Sequence, residues 1–264
     1  MDELPDRERE SMREDLALAQ SVQLLSLPKP ETFLSGRRPF GLASMMRPVR
    51  DIGGDFYDFY LLDQNRLALV IADVSGKSIP AALFMMRAKS VIRDELSVVG
   101  REFDLSLAAA AINDRLCEGN RAKMFVTAWI GIVDLRTGEV QFVNAGHNPP
   151  LVRRANGSLE WLRSRSGLVF AMRGGKCYTP WSVRLGEGDS LALYTDGVTE
   201  AQDEKGTLFG ESRLEEALTF KKTGSPDEIA HELRVRINCA VTAFSDDADP
   251  FDDITFLSFT FARA

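Results

Sequence analysis

Cysteine and histidine are scarce in this sequence. Its three cysteines, Cys117, Cys177 and Cys239, are far apart and none belongs to a C-x-x-C pair, so neither a disulfide framework nor a zinc site is indicated. A reducing cytoplasm fits this pattern. The two histidines, His147 and His231, are too few for a histidine-based metal site. A Gly-x-Ser-x-Gly elbow is also missing, which weighs against a Ser-His-Asp hydrolase.

An excess of basic residues and a long apolar run are missing as well. The 264-residue chain has 32 Lys and Arg against 39 Asp and Glu, a net charge of −7. This charge disfavours nucleic acid and anionic membrane surfaces as partners. No apolar run approaches the roughly 20 residues of a membrane-spanning helix, and the acidic N-terminus lacks a signal-peptide layout. The sequence therefore predicts a cytoplasmic protein with no membrane segment in this chain.

Residues 1–28 are predicted to form a regulatory or linker helix, followed by one folded domain over residues 29–264. Charged residues dominate positions 2–15, and apolar residues then recur at i, i+4, i+7 on one helix face. These residues are Leu18, Val22 and Leu25. The face could pack on the following domain or on a second copy of the chain, so one prediction is a homodimer. The alternative is a frayed tail that docks only its last turns.

Strand-like runs follow one another from Phe40 onward, with helical segments among them. The predicted strands cover 40–46, 56–62, 66–73, 125–135, 139–144, 178–185, 190–195 and 254–261. The predicted helices cover 80–97, 104–117 and 229–241. Turn residues at 63–65 and 136–138 indicate antiparallel hairpins. Antiparallel strands with a pair of inserted helices predict an α+β sandwich, and a hydrophobic content of 44% is ample for its core.

Four acidic sites lie at the edges of predicted strands. They are Gly53-Gly54-Asp55, Asp73-Val74-Ser75-Gly76, Asp196-Gly197 and Asp252-Asp253. If the strands lie side by side the carboxylates converge, and their mutual repulsion is expected only where cations neutralise it. Carboxylate oxygens favour hard ions such as Mg²⁺ or Mn²⁺. The pattern therefore predicts metal-assisted chemistry, with a phosphate as the favoured target.

Each site taken alone also has a plain structural interpretation. Asp73 could leave its strand and cap the turn before the next helix. Asp196-Gly197 is a common hairpin turn, and Asp252-Asp253 could be a solvated approach to the last strand. For His147 the favoured interpretation is a turn in which the imidazole bonds backbone. The joint occurrence of four Asp at strand edges favours the metal hypothesis over four independent accidents.

Several motifs occur in a fixed order along the chain. They are GGDFYD at 53–58, ADVSGK at 72–77, PAAL at 80–83, NAGHNPP at 144–150, YTDGVTEA at 194–201, LFG at 208–210 and DDIT at 252–255. From about Leu16 to Phe261, the sequence resembles the SpoIIE/RsbU-type bacterial serine/threonine phosphatases of the metal-dependent PPM superfamily. The resemblance implies a two-layer antiparallel β-sandwich flanked by helices, with two Mn²⁺ or Mg²⁺ ions at one end.

The same resemblance implies a set of metal-ligating and catalytic residues. They are Asp55, Asp73, the Val74 carbonyl, Asp196 and Asp252. Asp73 would bridge both ions, Asp55 would bind one and Val74 the other, while the last two would act directly or through water. Asp253 is the alternative to Asp252. In this interpretation the ions activate a water for in-line attack on phosphorus, and no phospho-enzyme forms.

The resemblance also implies partners. The substrate would be a phosphorylated anti-sigma-factor antagonist in a partner-switching pathway, and the N-terminal helix would correspond to a linker that often dimerises. Two departures from the family pattern stand out. Ser78 occupies a position where many relatives have glycine, and 74–77 lacks the histidine that protonates the leaving group in some relatives. The leaving-group acid is therefore unassigned.

Two other functions match parts of the pattern. One is a catalytically weak phosphatase-like scaffold that binds a regulator, against which the four intact acidic sites argue. The other starts from Gly53-Gly54-Asp55-Phe56, which is similar to the signature of cyclic-dinucleotide synthases. That family places the motif in a hairpin within alternating βα units, and it would not supply Asp196 and Asp252.

Overall fold

Runs of strands and runs of helices follow one another along the chain in an order that the sequence largely predicts. A computed structural model describes residues 6–33, 40–49, 52–97, 104–221, 224–246, 248 and 252–263. The strands are β1 (Phe40–Arg47), β2 (Phe56–Leu61), β3 (Arg66–Val74), β4 (Val126–Asp134), β5 (Glu139–Ala145), β6 (Leu151–Arg153), β7 (Leu159–Trp161), β8 (Trp181–Arg184), β9 (Ser190–Tyr194) and β10 (Ile254–Phe261). The helices are α1 (Asp6–Ser26), α2 (Pro30–Phe33), α3 (Ser78–Ser97), α4 (Leu105–Cys117), α5 (Asp196–Thr199), α6 (Gly210–Leu218) and α7 (Pro226–Ser245).

The strands in these ranges pair into two antiparallel sheets of five strands each. The first has the order β1-β10-β9-β6-β7 and the second the order β2-β3-β4-β5-β8. The β2–β3 and β4–β5 neighbours are hairpins, as their turn residues predict. β1 pairs with β10 along its whole length, from Phe40 opposite Phe261 to Arg47 opposite Ile254. The first and last strands therefore lie side by side.

The core lies between the sheets, and helices cover both outer faces. α3 packs on β2 and β3, α4 packs on β5, and α7 packs on β1, β9 and β10. Residues 67–72 of β3 are fully buried, because the other sheet covers one face of the strand and α3 covers the other. Among the helices of the described ranges, none is both long and apolar enough to cross a membrane. The result is an α/β/β/α sandwich, which confirms the predicted α+β fold.

Some elements differ from the sequence prediction. The hairpin interpretation of Asp196-Gly197 is wrong, because these residues begin α5 and β9 pairs with β10 and β6 instead. β6 and β7 have three residues each, which is too short for a periodic signal. Helix α6 was not predicted from the sequence either. One face of this helix carries buried leucine and alanine side chains. β8 begins at Trp181, three residues later than predicted.

Helix α1 docks on the domain through its C-terminal end. The first five residues of the predicted N-terminal helix lie outside the described ranges. Gln23 and Leu27 are buried, whereas Leu18, Val22 and Leu25 are 65%, 56% and 72% exposed. The predicted apolar face is therefore not covered by this chain's own domain, and docking involves the last turns of the helix.

Candidate active site

The predicted acidic residues meet at one end of the sandwich. Asp55 precedes β2, Asp73 is the penultimate residue of β3, Asp196 begins α5 directly after β9, and Asp252 precedes β10. Antiparallel pairing sets the start of β2 beside the end of β3, with Phe56 opposite Ala72. It likewise sets the start of β10 beside the end of β9, with Phe256 opposite Tyr194. Because β2 and β3 lie in one sheet and β9 and β10 in the other, the packing of the two sheets brings these strand ends together.

Asp55 and Asp73 form a carboxyl pair in which the two side chains lie close enough for their charges to interact. Burial, reinforced by the Asp73 carboxylate, raises the pKa of Asp55 well above its ordinary value. Burial, reinforced by Asp196 and Asp252, raises the pKa of Asp73 to about 7. Because burial and the neighbouring carboxylates raise both pKa values, the pair takes up a proton at a higher pH than exposed carboxylates do when no cation is present.

Thr195 holds Asp55 in place from the opposite sheet. Its Oγ1 donates to Asp55 Oδ2 at 2.7 Å and accepts from the Thr255 backbone N–H at 3.0 Å. The side chain is fully buried, so this hydroxyl joins the ends of β9 and β10 to the start of β2. No role was predicted for Thr195 from the sequence. Its position directly before Asp196, at the end of a strand, was the feature that could have indicated a contact with the acidic residues.

Asp196 and Asp252 occupy the more exposed side of the site. Burial, with Glu200 and Asp252 as further causes, raises the pKa of Asp196. Asp252 Oδ2 forms an ion pair with Lys77 Nζ at 3.0 Å. The other oxygen, Oδ1, accepts from the backbone N–H of Asp253 at 2.9 Å. The sequence motif contained Lys77, but nothing in the sequence indicated this contact.

Asp253 has a different environment from Asp252. Its Oδ1 accepts from the Val49 N–H at 2.9 Å, and its Oδ2 accepts from the Gly54 N–H at 3.2 Å. A Cβ atom on Gly53 would lie 1.8 Å from Asp253 Oδ2, so glycine is required there. Asp253 therefore shapes the loop that leads into Asp55.

A small cavity lies among these groups. Its lining includes Gly54, Asp73, Lys77 and Asp252. A Cβ atom on Gly54 would lie 2.7 Å from the Val74 carbonyl oxygen and 3.3 Å from Asp73 Oδ1, so glycine leaves open the space beside two oxygen atoms. Within the described ranges, no group of three or more Asp, Glu, His and Cys side chains is already arranged to hold a metal ion. The carboxylates instead have hydroxyl, backbone, carboxyl or lysine partners.

Helix α1 reaches the site through Gln23. The side-chain amide donates to the Gly53 carbonyl at 2.7 Å and accepts from the Gly53 N–H at 3.2 Å. Gln23 is buried, so this two-point contact is shielded from water. The N-terminal helix thus holds the backbone two residues before Asp55. A glutamine within an amphipathic helix gives no sequence signal for such a contact.

His147 lies in a closed turn and does not join the acidic cluster. The Asn144 side chain closes the turn, accepting from the His147 N–H at 2.8 Å and donating to the His147 carbonyl at 3.0 Å. The imidazole Nδ1 lies 3.0 Å from Thr127 Oγ1, and the ring lies against the Tyr194 backbone. Burial lowers the pKa of His147 to about 4, so the ring is neutral at physiological pH.

Ser78 begins α3 with a left-handed backbone, at φ 68°. Side chains other than glycine adopt this region at a cost. The family resemblance predicts glycine at this position, and glycine would adopt this φ without the strain that serine has.

The comparisons with known proteins give the family. Residues 63–262 match the model for stage II sporulation protein E (SpoIIE), and the chain belongs to this family. Protein IcfG of Synechocystis sp. is 31% identical over 242 residues, which cover 81% of this chain and 37% of IcfG. The phosphoserine phosphatase RsbU of Bacillus subtilis is 27% identical over 202 residues, which cover 76% of this chain and 58% of RsbU. The chain thus spans less than two thirds of either relative.

Solved structures share the fold. The SiaA-PP2C domain of Pseudomonas aeruginosa matches with a TM-score of 0.78 at 22% identity, over 96% of this chain and 98% of that domain. RsbX, solved in complex with magnesium, matches with a TM-score of 0.62 at 14% identity, over 86% of this chain and 98% of RsbX. These similarities confirm the PPM-type sandwich expected from the sequence.

The carboxyl pair predicts a pH-dependent stability in metal-free protein. The folded pKa of Asp73, about 7, exceeds its unfolded value, so folding loses stability as the pH rises between about 4 and 7. Asp73→Asn removes this loss. With a chelator present, the advantage of Asp73→Asn over wild type in urea unfolding should widen by about 2 kcal/mol between pH 5 and pH 8.

Asp94→Asn provides the matched control, because Asp94 is an exposed carboxylate on α3. It should show no comparable widening between the two pH values. A difference in unfolding free energy between Asp73→Asn and wild type that stays constant with pH would contradict the raised pKa of Asp73.

Proposed function

We propose that this chain is a metal-dependent protein serine/threonine phosphatase. The observation that carries the proposal is the convergence of buried or half-buried carboxyl groups with raised pKa at one end of a PP2C-type sandwich. These groups are Asp55, Asp73 and Asp196, with Asp252 beside them. Two similar proteins support it, since RsbU is named a phosphoserine phosphatase and RsbX was solved with magnesium.

The residues fit two divalent ions, either Mn²⁺ or Mg²⁺. The donors are hard oxygens, and Gly54 leaves space beside the Val74 carbonyl and Asp73. In the proposal the carboxylates of Asp55 and Asp73 and the Val74 carbonyl would hold the ions. Asp196 and Asp252 would complete the ligand set directly or through water. Asp252 is preferred to Asp253, because backbone N–H groups occupy both oxygens of Asp253, whereas Asp252 Oδ2 has a partly exposed lysine side chain as its partner.

The chemistry that such ions supply when bound is activation of water and neutralisation of phosphoryl charge. The protein's own groups prepare the site for it. Asp55 and Asp73 would release any carboxyl proton to solvent on metal binding, and the Thr195 hydroxyl keeps Asp55 oriented. Asp253 fixes the loop through the Gly54 N–H. The acidic residues lie at the ends of strands that are paired by backbone hydrogen bonds, and this pairing holds their backbone in place.

The proposed substrate is phosphoserine or phosphothreonine on an anti-sigma-factor antagonist-like protein, in a cytoplasmic partner-switching pathway. This part of the proposal rests on the resemblance to the RsbU-type phosphatases and on the similarity to RsbU. The excess of carboxylates in the site would repel a phosphate, so the proposal needs bound cations to offset that charge before the phosphoprotein approaches.

Phosphate release tests the activity. Incubated with phosphorylated antagonist-like proteins from the same genome, the protein should release phosphate only when Mn²⁺ or Mg²⁺ is added. Asp73→Asn should lower the rate by about 100-fold or more, because a proposed metal ligand is lost. The matched variant Asp94→Asn should keep the wild-type rate, and circular dichroism should show both variants folded.

Three results would contradict the proposal. Full turnover by Asp73→Asn would remove the active-site assignment, and metal binding without phosphate release from any phosphoprotein would favour the scaffold function. Formation of a product from GTP would instead favour the cyclic-dinucleotide synthase.

We also propose a homodimer through α1. Leu18 and Val22 border an apolar groove of about 590 Å³, which Leu83 and Met86 of α3 line on the other side. Exposed apolar patches of this kind are typical of interaction surfaces. Because Gln23 joins α1 to the Gly53 backbone, a partner held by this helix would act on the position of Asp55.

Sedimentation tests the dimer. Leu18→Glu combined with Leu25→Glu places charge on the exposed face and should convert a wild-type dimer to monomers, because burial of two carboxylates in an apolar interface is unfavourable. Leu107→Glu is the matched control, since Leu107 is 69% exposed on α4, and it should leave the mass unchanged. A monomeric wild type, or a double variant that stays dimeric, would reject α1 as the interface.

A further inference from the structure

Lys77 brings a positive charge to the acidic cavity. Its Nζ lies 3.0 Å from Asp252 Oδ2, and its side chain lines the same cavity as Asp73 and Asp252. Both members of the ion pair are partly exposed, at 44% and 34% of their side-chain surface. Solvent and solutes therefore reach the pair, and another cation can compete for Asp252.

The backbone around Lys77 fixes its position. Ser75 continues the β3–β4 pairing, because its N–H donates to the Phe125 carbonyl at 2.9 Å and its Oγ accepts from the Phe125 N–H at 2.8 Å. Gly76 and Ser78 on either side of Lys77 have positive φ, at 93° and 68°. A short segment anchored at Ser75 and at the start of α3 thus directs the lysine towards the cavity.

The acidic residues differ in how their charge is offset. Asp55 accepts from the Thr195 hydroxyl, and Asp253 accepts from two backbone N–H groups. Asp252 forms an ion pair with Lys77, and the same ammonium group also opposes the burial that raises the pKa of Asp196. Asp252 is also the residue to which the proposed function assigns a divalent ion. An ammonium group in contact with Asp252 Oδ2 would repel such an ion.

We propose that Lys77 is a tethered counter-ion for Asp252 that the incoming divalent ion displaces, so that Lys77 lowers the affinity of this site for metal. This inference rests on the proposed function, because it takes Asp252 as a metal ligand. In metal-free protein the lysine would offset the charge of the carboxylates, and it would oppose an ion that binds among them. Removing its charge therefore has opposite effects on the metal-free protein and on metal binding.

Titration of the full chain with Mn²⁺, followed by the electron paramagnetic resonance of free Mn²⁺, tests the inference. Lys77→Gln should tighten the weaker, Asp252-dependent Mn²⁺ site by about twofold to fivefold, the range for a partly exposed ion pair. Lys77→Arg keeps the charge and should retain the wild-type affinity. Lys205→Gln, on an exposed turn, is the matched control and should also bind as wild type does.

A double-mutant cycle isolates the contact. In an Asp252→Asn background, Lys77→Gln should tighten Mn²⁺ binding less than it does in the wild-type background, because the ion pair with Asp252 is gone. The thermal midpoint of the metal-free protein should fall in Lys77→Gln, which a metal-affinity change alone would not cause.

The outcomes separate this inference from the proposed function. Wild type that binds Mn²⁺ through Asp252, together with Lys77→Gln of equal or weaker affinity, overturns the role of Lys77 and leaves the phosphatase proposal intact. Mn²⁺ binding that is unaffected by Asp252→Asn, or that does not occur, overturns the ligand assignment and the role of Lys77 with it.

Discussion

Repulsion between carboxylates that share a small buried space is the constraint on which the site depends. Ionised carboxylates this close and this poorly hydrated are unfavourable unless something offsets their charge. The protein meets the constraint in several ways: raised pKa values for Asp55 and Asp73, the Thr195 hydroxyl, two backbone N–H groups for Asp253, and the ammonium group of Lys77 for Asp252. In the proposed function, divalent ions would replace a carboxyl proton and the ammonium group together.

The fold can hold these carboxylates close together because strand pairing fixes the backbone that carries them. The β2–β3 hairpin and the β9–β10 pair are held by ladders of backbone hydrogen bonds. These bonds oppose the repulsion between the carboxylates at the strand ends. Close approach of the chain segments then needs glycine. A Cβ atom on Gly197 would lie 2.0 Å from the Asp253 carbonyl oxygen. Gln23 adds a second support, since it binds both backbone polar groups of Gly53.

Much of the fold follows from local sequence patterns, because long apolar strands and their turns carry their own signal. β10 shows where such patterns mislead. Its alternation of Thr and Ser with apolar residues is typical of a half-exposed strand, yet the whole strand is buried, because α7 covers the polar face and Ser258 donates to the Ala230 carbonyl. In the site, the sequence predicted which Asp residues meet. The contacts of Thr195, Lys77 and Gln23 join distant segments, and no local pattern encodes them.

The central claim is that buried carboxyl groups hold a proton which divalent metal replaces. Calorimetric titration with Mn²⁺ near pH 6.5, in buffers of different ionisation enthalpy, measures it directly. Metal binding requires deprotonated ligands, so the account predicts release of about one proton per protein as Mn²⁺ binds, and loss of this release in Asp73→Asn. Binding of Mn²⁺ with no proton release, or no binding at all, would contradict it.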